Sequence, residues 1–79
     1  MIAVPPAHRP SPHLDFVRLL EIVRGEYLEM PGLRLTRQQA RRLWALDADT
    51  CDALLATLEG AGFLRRTREG EYMLAFPRA

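Results

Sequence analysis

Residues 35–76 read LTRQQARRLWALDADTCDALLATLEGAGFLRRTREGEYMLAF, and the order of signals in this stretch decides the fold. Thr36-Arg37-Gln38-Gln39 matches a capping box, in which the threonine hydroxyl accepts from the backbone N–H three residues on and the glutamine side chain reaches back to the cap's own N–H. This predicts a helix from Thr36 to about Trp44, with Ala40, Leu43 and Trp44 facing inward and Arg37 and Arg41 one turn apart on an outer face. Ala45 to Ala48 reads as a tight turn, with Leu46 tucked toward the core. Asp49 is the expected cap of the next helix, which places Asp52 near its third position, where a carboxylate suits the positive helix end. Cys51, Leu54, Leu55 and Leu58 follow at steps of three, one and three, the spacing of a buried stripe. Gly60 and Gly62 supply the stop. Strand-like content then takes over at 63–67 and 71–76 around Arg68-Glu69-Gly70, a three-residue loop whose final glycine suits closure on a left-handed residue.

Upstream, Leu33-Arg34-Leu35 alternates, and a minor strand here would join the hairpin. Before it, Ser11-Pro12 is a good helix start: the hydroxyl caps, and proline fills a position whose N–H would be orphaned anyway. A first helix is expected from about Pro12 to Glu29. Phe16, Leu20, Val23 and Tyr27 fall on one face, Leu19 and Leu28 widen that stripe, and Asp15, Arg18, Glu21 and Glu29 take the other side. Met30-Pro31-Gly32 ends it, because proline disfavours helical geometry at the residue before it and glycine permits a reversal. Gly25 inside the helix costs about 1 kcal/mol against alanine, so either a neighbour packs close there or the helix bends.

Residues 1–12 hold four of the six prolines and no helical periodicity, which reads as a Pro-rich arm ahead of a single folded domain at 13–77. His8, Arg9 and His13 sit in or beside the arm, and two histidines are too few to hold a metal ion. Seventy-nine residues allow one domain, burying only about 60% of the surface its unfolded chain exposes. One cysteine excludes an internal disulfide and a Cys-rich zinc site. The chain has no apolar run of the roughly 18 residues a membrane span needs, and MIAVPPA lacks the build of a secretion signal. A cytoplasmic location without membrane contact is therefore expected.

All eleven basic residues are arginine, and the net charge is only +1. Its distribution is more telling than its sum. Met30 to Leu46 carries Arg34, Arg37, Arg41 and Arg42 with no acid, whereas Asp47 to Gly60 carries Asp47, Asp49, Asp52 and Glu59 with no base. Two adjacent helices of opposite sign make a dipolar surface.

The segment from Leu35 to Leu74 resembles a bacterial winged helix-turn-helix domain of the broad group that includes the MarR-like and IclR-like regulators. The resemblance rests on the Leu-Thr cap, an Ala in the second helix, Leu in the turn, Leu-Leu-Ala-Thr-Leu-Glu in the third helix, then Gly-Phe-Leu and a Gly-tipped hairpin. It covers about half the chain and extends to the first helix by position. It implies a mainly α fold with a small β-hairpin, namely three helices plus a two- or three-stranded wing. It also implies DNA-binding transcriptional regulators, commonly homodimeric, with the third helix in the major groove and the wing on the flanking backbone.

Carried over by position, the residues expected to approach base edges are Ala48, Asp49, Asp52, Ala53, Ala56 and Thr57. Bases are read chiefly by arginine, lysine, asparagine and glutamine, and aspartate only accepts from cytosine; two aspartates would be repelled by the polyanion. Contact with duplex DNA is thus expected through its backbone, from Arg37, Gln38 and Arg41 on the second helix and Arg65, Arg66 and Arg68 on the wing. The bland reading of the same arginines is surface charge paired with Glu69, Glu71 or the third-helix acids. The alternative function is a protein-interaction module in which Asp47, Asp49, Asp52 and Glu59 dock on a basic partner. Cys51, Trp44 and Tyr72 read as core residues rather than as a nucleophile or stacking platforms. No Ser, His and Asp set and no Gly-rich phosphate loop appears, so neither an enzyme nor a cofactor is expected.

Overall fold

A computed structural model describes residues 12–76. The order of elements is α1 (Pro12–Glu29), β1 (Leu35–Thr36), α2 (Arg37–Leu43), α3 (Ala48–Gly60), β2 (Leu64–Arg66) and β3 (Glu71–Leu74). The three strands form one antiparallel sheet in the order β1-β3-β2. The chain is therefore mainly helical with a hairpin, a layout consistent with the expected winged arrangement. The expected arm lies outside the described residues except for Pro12, which opens α1, and Pro77 lies outside them too.

Local signals account for most boundaries. Thr36 is extended (φ −74°, ψ 166°) and makes both halves of the capping box: its hydroxyl accepts from the Gln39 N–H at 3.1 Å, and its own N–H donates to Gln39 Oε1 at 2.8 Å. At the end of α3, Gly62 takes φ +81°, its N–H donates to the Glu59 carbonyl, and the Phe63 N–H donates to the Leu58 carbonyl at 2.9 Å. That pair of bonds is the Schellman stop, for which a residue without a side chain is the natural choice. The hairpin closes as read: Gly70 sits at φ +84°, the Gly70 N–H reaches the Thr67 carbonyl at 3.0 Å, and the Thr67 N–H reaches the Glu71 carbonyl at 2.8 Å.

Other expectations are corrected. The cap of α3 is Asp47, not Asp49: Asp47 is extended and accepts from the Thr50 N–H at 3.3 Å. The helix starts earlier because Asp47 already has its partner three residues on, so Asp49 falls in the first turn and Asp52 lies beyond it. Leu28, expected to widen the α1 stripe, is 56% exposed, one step of about 100° past the fully buried Tyr27. Leu43, expected inside, is 54% exposed, because Ala40 and the half-buried Trp44 occupy the inner side of this short helix. Among the described residues nothing comes within 4 Å of where a side chain at Gly25 would stand, so close packing there does not explain it. Ala45, between α2 and α3, adopts φ +52°, an uncommon geometry for a residue with a side chain that nothing in the residue types announced.

The core is a single cluster. Val23 and Tyr27 of α1, Ala40 of α2, and Cys51, Leu54, Leu55 and Leu58 of α3 meet Phe63, Leu64, Tyr72 and Leu74. Partly buried Phe16, Leu19, Leu20, Leu33, Leu35, Trp44 and Leu46 pack around them. Tyr27 ties the layers together: its hydroxyl donates to the Tyr72 carbonyl at 2.8 Å, and its ring meets Phe63 edge-on at 6.4 Å. Burial pushes the Tyr27 hydroxyl well above the usual tyrosine range, so it remains a donor at any ordinary pH. α3 rests on α1 and α2 as well as on β2. Its remaining side is exposed.

Candidate nucleic-acid interface

The exposed side of α3 presents Asp49, Asp52, Ala53, Ala56 and Thr57, with Ala48 half-buried at its start. These are the residues expected to approach base edges. Small, exposed alanines occupy the middle of this face, and the carboxylates cluster toward its N-terminal end. α2 and the hairpin flank it.

On α2, the expected grip is altered by an ion pair. Arg37 donates from Nε to Asp52 Oδ1 and from Nη2 to Asp52 Oδ2, the second bond at 2.9 Å. Both side chains are about half exposed, at 48% and 51%. The two-point fork joins the start of α2 to the outer face of α3. The Arg37 bond holds the Asp52 carboxyl below the usual carboxylate range, and Arg37 is in turn held more firmly protonated. Arg37 and Asp52, assigned respectively to the DNA grip and to the acidic docking set, thus occupy each other.

Arg41 is half-buried and leans back over the turn, its Nε donating to the Leu46 carbonyl at 3.4 Å. With Gln38, Arg42 and Leu46 it lines an open cleft of about 300 Å³ that no carboxylate borders among the described residues. Arg42 belongs to the basic run from Met30 to Leu46 but is not among the contacts expected from the sequence; Gln38 and Arg42, one turn apart, share the cleft wall.

In the hairpin, strand pleating separates two residues that look like one patch in the sequence. Arg66 lies opposite Tyr72, on the face that meets α3, and Arg65 lies opposite Met73, on the other face. The Arg66 guanidinium stands 5.7 Å from the Tyr72 ring centre and donates weakly to its hydroxyl at 3.5 Å. Such stacking fixes a guanidinium while leaving its outer N–H groups available. Arg68 is exposed at the tip, beside Glu69.

Among the described residues, two ion pairs form: Arg37 with Asp52, and Arg34 with Glu71 at 3.8 Å. The pairing of arginines with third-helix acids is realised at Arg37 alone, and the partner of Glu71 is Arg34 rather than a wing arginine. Arg41, Arg42, Arg65, Arg66 and Arg68 have no carboxylate within 4 Å among the described residues.

The acidic set is dispersed. Asp47 is spent as a cap, with Thr50 hydrogen bonding holding its carboxyl below the usual range. Asp49 and Glu59 are exposed and lie ten residues apart on α3. On the far side of Leu46, Asp15 and Asp47 border a second hollow of about 330 Å³ with Phe16, Leu19 and Thr50.

Cys51 is fully buried, its Sγ 3.7 Å from the Arg37 carbonyl, and burial pushes its thiol pKa up, the opposite of what a nucleophile requires. Among the described residues, no three His, Cys, Asp or Glu side chains converge as a metal site would need, and no helix is long and apolar enough to cross a membrane. No protein-family model matches the chain, and no curated protein matches it either.

Proposed function

We propose that the chain is a winged helix-turn-helix module that binds duplex DNA through its phosphate backbone and serves as a transcriptional regulator. Gln38, Arg41 and Arg42 grip one side of α3, and Arg66 and Arg68 grip the other. One observation carries this reading: five arginines on α2 and the hairpin have no acidic partner within 4 Å among the described residues, on two elements that both pack against α3. Arginine forks match phosphate geometry, and such contacts give affinity without selecting sequence. Arg65, on the opposite face of the hairpin, contributes long-range attraction rather than a direct grip. A module this small makes few phosphate contacts, so the reading includes a second copy on the same duplex.

The test is binding of the purified chain to mixed-sequence duplex across a salt series. Affinity should fall with salt, and each phosphate contact removed should lower the slope of log K against log salt by about 0.9. Arg41→Ala/Arg42→Ala and Arg66→Ala/Arg68→Ala should each weaken binding about equally on all sequences. No affinity at low salt, or affinity indifferent to both double variants, removes the reading.

A second reading, a module that docks on a basic protein, is favoured by Asp49, which has no basic partner within 4 Å among the described residues, and by the hollow between Asp15 and Asp47. Asp49→Lys separates the two. It strengthens duplex binding under the first and has no effect on DNA under the second.

A further inference from the structure

The Arg37–Asp52 pair has a consequence for how strongly such a module could hold DNA. Asp52 lies on the exposed face of α3, and Arg37 lies at the start of α2, where an arginine on the flank of that face would otherwise meet a phosphate. The carboxylate takes both the Nε and an Nη donor, the same two-point geometry that a phosphate offers. An arginine engaged in this way is unavailable to the duplex unless the internal bond breaks. The other α2 arginines differ: Arg41 is bonded only to a backbone carbonyl, and no hydrogen bond or ion pair engages Arg42 among the described residues.

We propose that Asp52 is an intramolecular phosphate mimic, competing with duplex backbone for the Arg37 guanidinium and thereby setting the affinity of the module. The inference rests on the DNA reading above and deepens it by naming the residue that limits the grip. Both side chains are exposed, and an exposed pair is weak, so the competition is one that a polyanion partly wins. The effect is therefore graded rather than all-or-none. It acts through Arg37, and that distinguishes it from simple loss of a negative charge facing DNA. Simple charge removal would raise affinity equally whether or not residue 37 is an arginine.

A four-member cycle of wild type, Asp52→Ala, Arg37→Ala and the double variant tests this on a mixed duplex over a salt series, with thermal melts confirming that each chain is folded. Asp52→Ala should bind several-fold more tightly at low salt, with its salt slope steeper by a part of the roughly 0.9 that one fully gained phosphate contact contributes. Removing Arg37 from the Asp52→Ala chain should lower the slope by about 0.9, whereas removing it from wild type, where the carboxylate already holds it part of the time, should lower the slope by clearly less. Equal slopes for Asp52→Ala and the double variant, while wild type binds, overturn the competition and leave the DNA reading standing. Absence of binding in all four removes both.

Discussion

The two faces of α3 follow different rules. The inner face places Cys51, Leu54, Leu55 and Leu58 at 3% exposure or less, in contact with every layer of the core. The outer face carries Asp49, Asp52, Ala53, Ala56 and Thr57, all exposed, and its behaviour depends on which charge finds which partner. Hydrophobic burial is non-directional and scales with area, so helical spacing alone is enough to specify the first. Pairing between exposed charges is directional and weak, so spacing does not specify the second. The same helix is thus settled on one side and adjustable on the other.

The contrast should break first at Leu54. Leu54→Ala should cost about 2–5 kcal/mol, comparable to the whole stability of a small domain, whereas Ala56→Ser on the outer face should change it by less than about 0.5 kcal/mol. Chemical denaturation of the two variants measures both, and similar costs would erase the distinction. A smaller effect is expected at Tyr27, the hydroxyl that joins α1 to the sheet. Tyr27→Phe removes the hydroxyl donor to the Tyr72 carbonyl, which also sits in the β1–β3 pairing, and should cost about 1 kcal/mol, read as a lower denaturant midpoint at unchanged slope. No loss would mean that α1 is held by packing alone.

The smallest effect belongs to the outer charges and is a function of pH. Asp47, bonded by Thr50, and Asp52, bonded by Arg37, are both held below the usual carboxylate range. A group depressed in the folded state contributes stability above its unfolded pKa, about 4 for aspartate, and loses that contribution as pH falls through the folded value. The melting temperature should therefore drop below about pH 4. Asp47→Asn/Asp52→Asn should flatten that drop, since asparagine still caps a helix but does not titrate. An identical drop in the double variant would assign the acid sensitivity elsewhere.

How much of this was legible in the residues follows the same division. The capping box at Thr36, the stripe on α3, the Gly62 stop and the Gly70 hairpin are local chemistry, readable within a few positions and present as read. Leu28 and Leu43 misled because a leucine at a permissive spacing fits a stripe on paper, while the neighbouring Tyr27, Ala40 and Trp44 take the available inner surface. Asp47 was passed over as a cap because Asp49 offered the same chemistry two residues on. The Arg37–Asp52 fork joins residues fifteen apart on different helices, and the split of Arg65 from Arg66 needs the strand register; neither leaves a periodic trace. The fold was therefore readable from local signals, whereas the site depended on tertiary geometry at each arginine.

The sheet order β1-β3-β2 leaves two outer strands. β1 is two residues long and runs directly into α2, and β2 is three residues long, two of them Arg65 and Arg66. An exposed strand edge is a template on which another chain can add, and brevity and like charge are the usual safeguards against it. Two β2 edges brought together would set arginines against arginines. Whatever they bind, these side chains also act as gatekeepers against sheet extension, so replacing both with neutral β-formers would invite aggregation even where the folded domain is no less stable.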